Sequence, residues 1–153
     1  MIERRVNVRG IAFHKGQLLA QKFRTYEGGE TDYWGTPGGG LDQNEALEDG
    51  LKREMLEETG ITPEIGRLLF IQQFTFQRED GQAREQLEFF FHIINSKDYT
   101  SVDLSKTTHG LEELTRCEFI DPEKEVILPE FLQSIDIQSY IDTTRPVYFY
   151  TEM

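Results

Sequence analysis

The sequence predicts an α/β protein in which a mixed β-sheet packs between helices. Two observations support this prediction: β-rich segments recur along the chain, and segments with helical periodicity are inserted between them. The length of 153 residues fits a single domain, 1–153, that can bury a core. Apolar residues make up 37% of the chain and charged residues 29%, as in ordinary globular proteins.

The N-terminal segment is predicted to form a β-hairpin. Apolar residues are frequent at 6–13 and again at 18–23, and Gly16 lies in the polar turn between the two runs. A polar loop at 24–32 and a short extended piece at 33–37 then lead into three consecutive glycines.

The strongest helical signal covers residues 46–58, which are mostly good helix formers. Asp42 and Glu45 have the spacing of a capping box, and Gly60 stands where a left-handed C-cap belongs. Three apolar residues recur at every fourth position and form a stripe that can pack on a sheet: Leu47, Leu51 and Met55.

The second half of the chain is predicted to contain two longer strands followed by shorter elements. In order, these are strands at 67–76 and 86–94 joined by the loop 78–84, a polar connection at 95–110, a strand at 117–120, a helix at 129–138 and an edge strand at 146–150. Pro129 suits the first turn of a helix, where its missing N–H has no intrahelical partner in any case.

The charge balance and the cysteine count exclude some classes of function. The chain has 16 Lys and Arg residues against 28 Asp and Glu residues, a net charge of −12, which argues against general binding to nucleic acid or anionic membranes. Cys117 is the only cysteine, so no intrachain disulfide can form. Since the apolar runs are also too short to span a bilayer, we expect a cytoplasmic protein.

Glu54, Glu57 and Glu58 fall on one narrow arc of the predicted helix, because successive residues are about 100° apart. Like charges at this spacing weaken a helix unless cations lie among them. Clustered hard oxygen ligands suit Mg²⁺ or Mn²⁺, which could assist hydrolysis of a phosphoanhydride. The alternative is that the acidic face is simply solvated and the domain is a scaffold.

The segment around these glutamates resembles the signature of the Nudix (MutT-type) hydrolases, G-x5-E-x7-R-E-U-x-E-E-x-G-U, where U is a bulky aliphatic residue. The match is complete and consists of Gly39, Glu45, Arg53, Glu54, Met55, Glu57, Glu58, Gly60 and Ile61. The preceding residues 33–40 also look like the usual lead-in of the family. The resemblance implies a Nudix-type α/β/α sandwich that acts on a nucleoside diphosphate linked to another group.

The resemblance also implies roles for individual residues. Glu54, Glu57 and Glu58 would bind Mg²⁺ or Mn²⁺, and one of them could instead be the general base. A backbone carbonyl of Gly39, or of Gly38, would complete the metal ligands. The implied structural residues of the motif are Glu45, Arg53 and Gly60. The expected reaction is water attack on phosphorus, and dimers are common in the family, so the resemblance allows a homodimer.

Outside the motif, the sequence offers further candidates for the site. Glu113 is preferred over Glu112 as an additional catalytic carboxylate, with Glu85 and Glu88 as weaker alternatives. Two groups of residues in or beside loops and strands could contact substrate. For phosphate the candidates are Arg24 and Arg84, with Arg78 as a further option, and for base stacking Trp34, with Tyr33, Phe74 and Phe76 as further options.

Two questions stay open at this stage. A non-catalytic module that senses a nucleotide on the same fold is the alternative to an enzyme. The substrate is also undetermined. Thr75 stands where ADP-ribose-cleaving members commonly carry proline, and Phe76 stands near where dinucleoside polyphosphate enzymes often carry tyrosine.

Overall fold

The computed structural model describes residues 2–78 and 80–153. Within these residues, eight strands are formed: β1 (Glu3–Ile11), β2 (Phe13–His14), β3 (Gln17–Phe23), β4 (Gly38–Gly40), β5 (Ile65–Gln77), β6 (Ala83–Ile93), β7 (Leu114–Ile120) and β8 (Tyr148–Glu152). The α-helices are α1 (Leu47–Thr59), α2 (Gly110–Glu113) and α3 (Ile137–Asp142). Short 3-10 helices cover Ser96–Ser101, Leu104–Lys106 and Glu130–Gln133.

The strands form two sheets. The larger is a five-stranded mixed sheet in the order β4-β1-β6-β5-β8, where β1 runs parallel to β6 and β5 runs parallel to β8. The smaller is a three-stranded antiparallel sheet in the order β2-β3-β7. The predicted mixed sheet is therefore confirmed, and so is the predicted edge strand near the C-terminus, which is β8.

Apolar side chains on the two faces of the sheets form two core clusters. The α1 cluster packs the helix against one face and includes Val8, Leu19, Leu51, Met55, Phe91 and Tyr99. The α3 cluster on the other face includes Leu18, Phe70, Phe90, Phe131, Leu132 and Ile137. Leu18 and Leu19 are neighbours in β3 but enter different clusters, because successive side chains of a strand point to opposite faces. Helices on both faces enclose the sheets, as predicted.

The motif helix is close to its predicted extent, but it begins differently. Gly60 has φ of +74° and donates its N–H to the Leu56 carbonyl, so the left-handed cap is confirmed. The capping-box prediction is wrong, because Ala46 is the N-cap and provides no side-chain hydrogen bond. The Glu45 carboxylate instead accepts from the Asp42 N–H, at 3.0 Å, in the turn before the helix.

The predicted N-terminal hairpin is wrong for its first strand. The actual hairpin consists of β2 and β3 only, with Lys15 and Gly16 at positive φ in its turn. β1 belongs to the larger sheet, where it pairs with β4 on one side and β6 on the other. β1 therefore occupies an interior position in the larger sheet, and both of its neighbours come from later in the sequence.

The predicted helix at 129–138 is also wrong in its continuity. The structure has a 3-10 helix at Glu130–Gln133 and a separate helix, α3, at Ile137–Asp142. Asp136 explains the break, because its side chain caps α3 by accepting from the Ser139 N–H. The long connection at 95–110 contains two 3-10 helices, and the predicted loop 78–84 includes residue 79, which lies outside the described residues.

None of the helices formed by residues 2–78 and 80–153 has the length and apolar character needed to cross a membrane.

Candidate active site

A cavity of about 790 Å³ lies over the face of the larger sheet that carries the α3 cluster. Strand pairing arranges its floor in rows, and in one row Arg5 of β1 is opposite Gln86 of β6, which is opposite Phe74 of β5. The three glycines of β4 and residues 128–130 contribute to the walls. The cavity therefore combines strand side chains with the edge of the glycine segment.

Three of the predicted carboxylates converge on this cavity. Glu54 and Glu58 reach it from α1, and Glu113 reaches it from the end of α2. The charge of Glu113 raises the pKa of both helix glutamates, after the larger effect of burial. Glu57 is not among the described residues that line the cavity, and its carboxylate lies 3.7 Å from Arg53 on a half-exposed side of the helix.

Glu58 is the most deeply buried acidic side chain of the site, at 2% exposure. Its carboxylate accepts one hydrogen bond from the Gly38 N–H, at 3.3 Å. Burial raises the pKa of Glu58 to about 8; Arg9 opposes this increase, while the charges of Glu54 and Glu113 add to it. A carboxyl group that titrates near neutral pH can exchange a proton during a reaction.

Glu54 lies against the glycine segment. A Cβ placed on Gly39 would be only 2.6 Å from Oε2 of Glu54, so any side chain at this position would displace the Glu54 carboxylate. Burial also raises the pKa of Glu54, although Arg53 opposes that change through a 3.0 Å hydrogen bond. The glycine of the motif thus allows a carboxylate and a backbone strand to approach closely.

Arg53 joins the helix to the loop that precedes it. Its guanidinium donates to Glu45 at 2.9 Å and to the Gly40 carbonyl at 3.1 Å, in addition to its bond with Glu54. The Arg53 hydrogen bonds, together with the Asp42 N–H, lower the pKa of Glu45 to about 2. These contacts agree with the structural roles expected for Glu45 and Arg53.

The segment carrying Glu113 is held in place by Arg24. The Arg24 side chain donates to the Leu111 carbonyl at 2.7 Å, and its backbone N–H donates to the Glu113 carbonyl at 2.8 Å. Glu112 points away, with a 75% exposed side chain 3.4 Å from His109. The geometry thus distinguishes Glu113 from its neighbour.

The structure does not bring the three predicted substrate-binding residues to the cavity. Among the described residues, the lining excludes Arg24, Trp34 and Arg84. Arg24 is engaged with the backbone near Glu113, and Arg84 is paired with Glu3 at 2.8 Å. Trp34 is 3% exposed within the α3 cluster, because residues distant in sequence pack around it.

The other aromatic candidates do line the cavity, and several residues that the sequence analysis missed join them. Tyr33, Phe74 and Phe76 contribute aromatic rings to the wall, together with Phe23. The missed cationic residues are Arg5 and Arg9. A sequence signal for them exists, because polar and apolar residues alternate at 5–9 and place both arginines on one face of a strand.

Glu88, a weaker catalytic candidate, occupies the cavity floor but is fully engaged. Its carboxylate accepts from Asn7 at 3.1 Å, from Arg9 at 3.0 Å and from Gln72 at 3.0 Å. The other candidate, Glu85, pairs with Arg4. Glu88 therefore anchors a polar network beneath the cavity.

The donor set of the site fits a hard divalent cation. Burial and the charges of neighbouring carboxylates raise the pKa values of Glu54 and Glu58, and a nearby cation would stabilise both as anions. Oxygen ligands are those that Mg²⁺ prefers. Among residues 2–78 and 80–153, however, no group of three His, Cys, Asp or Glu side chains already has metal-binding geometry. The carboxylates would therefore have to move when a metal binds.

This fold and this site define a protein that handles a small polyanionic molecule: an α/β protein with carboxylates, arginines and aromatic rings around one cavity. The model of the NUDIX domain matches residues 3–138 of the chain. The chain therefore belongs to the Nudix family, and it is a Nudix hydrolase, an enzyme that hydrolyses phosphoanhydride bonds in nucleotide derivatives. Nudix hydrolases in general use divalent metal cations.

Solved structures with the same fold are distant in sequence. The E. coli ORF135 protein has a TM-score of 0.66 at 18% identity, over 95% of both chains. The MutT protein from Methanosarcina mazei Go1 has a TM-score of 0.62 at 22% identity, over 86% of this chain and 89% of that one. A UDP-X diphosphatase has a TM-score of 0.61 at 18% identity, over 97% of this chain and 68% of that one. No curated protein sequence matches the chain significantly.

Proposed function

We propose that the protein is a Mg²⁺-dependent hydrolase that cleaves the pyrophosphate bond of a nucleoside diphosphate linked to another group by water attack on phosphorus. One observation is central: Glu54, Glu58 and Glu113 converge on a cavity that also contains arginines and aromatic rings. This combination provides acidic groups for metal and proton, cations for phosphate, and flat surfaces for a base. We also propose that residues 1–153 act as one Nudix domain, since both core clusters share the same sheets.

Under this proposal, Glu54, Glu57 and Glu58 hold Mg²⁺ or Mn²⁺ together with the Gly39 carbonyl. The bound ion would neutralise phosphate oxygens and lower the pKa of a coordinated water. Glu57 is included because it matches the sequence motif. In the structure its side chain lies outside the cavity, next to Arg53.

One of the three helix glutamates, or Glu113, accepts the proton from the attacking water. Glu58 is suited to this role by its burial, because a general base works best when its pKa is near the working pH. Glu113 is suited by its exposure, which gives it direct access to water in the cavity. Arg53 and Glu45 keep the glycine segment and the helix in register while the proton moves.

The nucleoside portion of the substrate is proposed to lie against Tyr33, Phe74 and Phe76. These rings line the cavity, so they replace Trp34 as the candidates for base stacking, because Trp34 is buried outside the cavity. Aromatic rings stack on any base, so the substrates tested should differ both in the base and in the group linked to the diphosphate. They include a UDP-sugar, since one protein of the same fold is a UDP-X diphosphatase.

The test is release of phosphorylated product in Mg²⁺ from ADP-ribose, dinucleoside polyphosphates, UDP-sugars, and normal or oxidised nucleoside triphosphates. Wild type is compared with Glu58→Gln and Glu113→Gln, and Glu112→Gln is the matched control because that side chain points away from the cavity. We expect Glu58→Gln to lower kcat by about 10²- to 10⁴-fold, as for loss of a proton-transfer group, and Glu112→Gln to keep it.

Two outcomes would contradict the proposal. Equal losses in Glu112→Gln and Glu113→Gln would show that general charge, and not placement in the cavity, controls the rate. A complete lack of turnover, with nucleotides still raising the melting temperature, would favour a nucleotide-sensing module.

We further propose a cytoplasmic location and a homodimer. The single cysteine supports a reducing compartment, and burial raises the pKa of Cys117 to about 12, so that its thiol is poorly reactive. Sedimentation velocity over a range of concentrations would test the dimer, which predicts one species of about twice the chain mass.

A further inference from the structure

Arg5 differs from the other arginines in its contacts. Among the described residues, every arginine except Arg5 donates a hydrogen bond to a carboxylate, carbonyl or hydroxyl oxygen. Within the same residues, Arg5 forms no ion pair, although the protein carries a net charge of −12. In so acidic a protein, a guanidinium without an acceptor among residues 2–78 and 80–153 is an exception, and its donors are suited to a ligand.

The nearest acidic residue on the same strand does not occupy Arg5. Glu3 is two positions away, but its carboxylate accepts from Arg84 at 2.8 Å and from Arg78 at 3.4 Å. Arg9, the other cation of the cavity, is also engaged, with Glu88 at 3.0 Å and with the Thr36 carbonyl at 3.1 Å. As far as the described part of the chain goes, Arg5 is therefore the arginine of the cavity whose donors are available to a ligand.

Arg5 and the helix glutamates lie on opposite sides of the glycine strand β4. A Cβ on Gly40 would be 3.1 Å from Nη2 of Arg5, whereas a Cβ on Gly39 would be 2.6 Å from Oε2 of Glu54. Successive residues of a strand face opposite sides, so the side-chain-free strand separates the cation from the carboxylates. Both groups nevertheless line the same cavity.

We propose that Arg5 binds one phosphate of the substrate's pyrophosphate group, which lies across the bare glycine strand with its other phosphate on the carboxylate side. The planar guanidinium can hold two phosphate oxygens at once, a geometry that lysine cannot reproduce. The identity of the ligand rests on the proposed function, whereas the position of the cation rests on the contacts described above. Arg5 thus takes the role that the sequence suggested for Arg24 and Arg84.

The experiment measures binding of methylenediphosphonate, a pyrophosphate analogue that resists hydrolysis, by calorimetry in the presence of Mg²⁺. Wild type is compared with Arg5→Gln, Arg5→Lys and the matched control Arg4→Gln. Arg4 is the adjacent residue, it points to the opposite face, and it pairs with Glu85 at 3.0 Å. The two glutamine variants therefore remove the same charge from the same strand.

We expect Arg5→Gln to raise the dissociation constant about ten- to a hundredfold, which corresponds to loss of charge-assisted hydrogen bonds. Arg5→Lys should give an intermediate value, and Arg4→Gln should match wild type. The shift in melting temperature on adding Mg²⁺ alone should be the same in all four proteins, since Arg5 contacts no proposed metal ligand. A change in that shift would point to a structural role.

Other outcomes overturn the inference. Equal weakening of analogue binding in Arg5→Gln and Arg4→Gln would show that general electrostatics explains the effect. Absence of analogue binding in the wild type would refute the proposed site. The substrate panel separates this inference from the proposed function. An active wild type with normal analogue binding in Arg5→Gln refutes the Arg5 site alone, and an inactive wild type whose analogue binding depends on Arg5 refutes only the hydrolase.

Discussion

Replacing Glu58 with glutamine should stabilise the metal-free protein at neutral pH, because it removes a buried carboxylate that is unfavourable as an anion. Glu58 is 2% exposed, and its pKa is raised from 4.5 to about 8 in the folded protein. Between these two values the folded state holds a proton that the unfolded state has lost. The free energy of unfolding of the wild type therefore falls as pH rises through this window.

The expected size follows from the width of the window. Each pKa unit corresponds to about 1.4 kcal/mol, so from pH 5 to pH 7.5 the wild type should lose about 3 kcal/mol relative to Glu58→Gln. Glu54 also has a raised pKa, but it is present in both proteins, so the difference between them isolates Glu58. Above pH 8 the difference should become constant, because both states of the wild type are then ionised at Glu58.

The assay is urea unfolding in EDTA at pH 5, 6, 7 and 8 for wild type, Glu58→Gln and the exposed control Glu112→Gln. Adding millimolar Mg²⁺ at pH 7.5 should then stabilise the wild type and affect Glu58→Gln less, because a ligand of the native state stabilises it. Parallel stability curves for wild type and Glu58→Gln across the whole pH range would refute the reasoning, since they would show that the carboxylate is solvated.

Three other substitutions test the remaining parts of the site. Gly39→Ala should displace Glu54, lower stability by about 1–3 kcal/mol and abolish the Mg²⁺-dependent shift in melting temperature. Trp34→Phe should reduce stability by about 1–2 kcal/mol but leave KM unchanged, whereas a stacking residue would raise KM. Arg24→Gln should lower kcat through Glu113, so the double variant with Glu113→Gln should be hardly slower than Glu113→Gln alone.

Several features that depend on local sequence were predicted correctly, although the capping box and the continuous helix at 129–138 were not. Helix α1 and its Gly60 cap follow from periodicity and backbone preference within about four turns of one helix, and two of its three predicted glutamates, Glu54 and Glu58, line the cavity. Glu113 lines the cavity at a position next to β7, a strand that could be recognised, and its catalytic role stays a prediction. Local patterns suffice when the residues that form a feature are neighbours in the chain.

The failures that affect the sheet and the cavity lining involve pairings between distant segments. The sequence predicts a hairpin for β1, although its partners are β4 and β6, and the pairing of Arg5 with Gln86 joins segments that are far apart in the chain. The burial of Trp34 depends on its backbone bridge to Ile127, which lies in the second half of the chain. Sequence patterns show that a side chain is aromatic or cationic, but strand pairing decides which cavity it faces.

The same pairing suggests how the cavity orients a substrate under the proposed function. Carboxylates stand on one side of the glycine strand and Arg5 on the other, so the pyrophosphate is fixed at that edge. From Arg5 the row of the floor runs through Gln86 to Phe74, away from the glycine strand and toward β8. A base stacked on Phe74 would therefore lie two strands from Arg5, roughly 10 Å at the usual spacing of strands. That separation is comparable to the distance between a diphosphate and the base of a nucleotide, which supports a nucleoside on the β5 side and catalysis at the glycine edge.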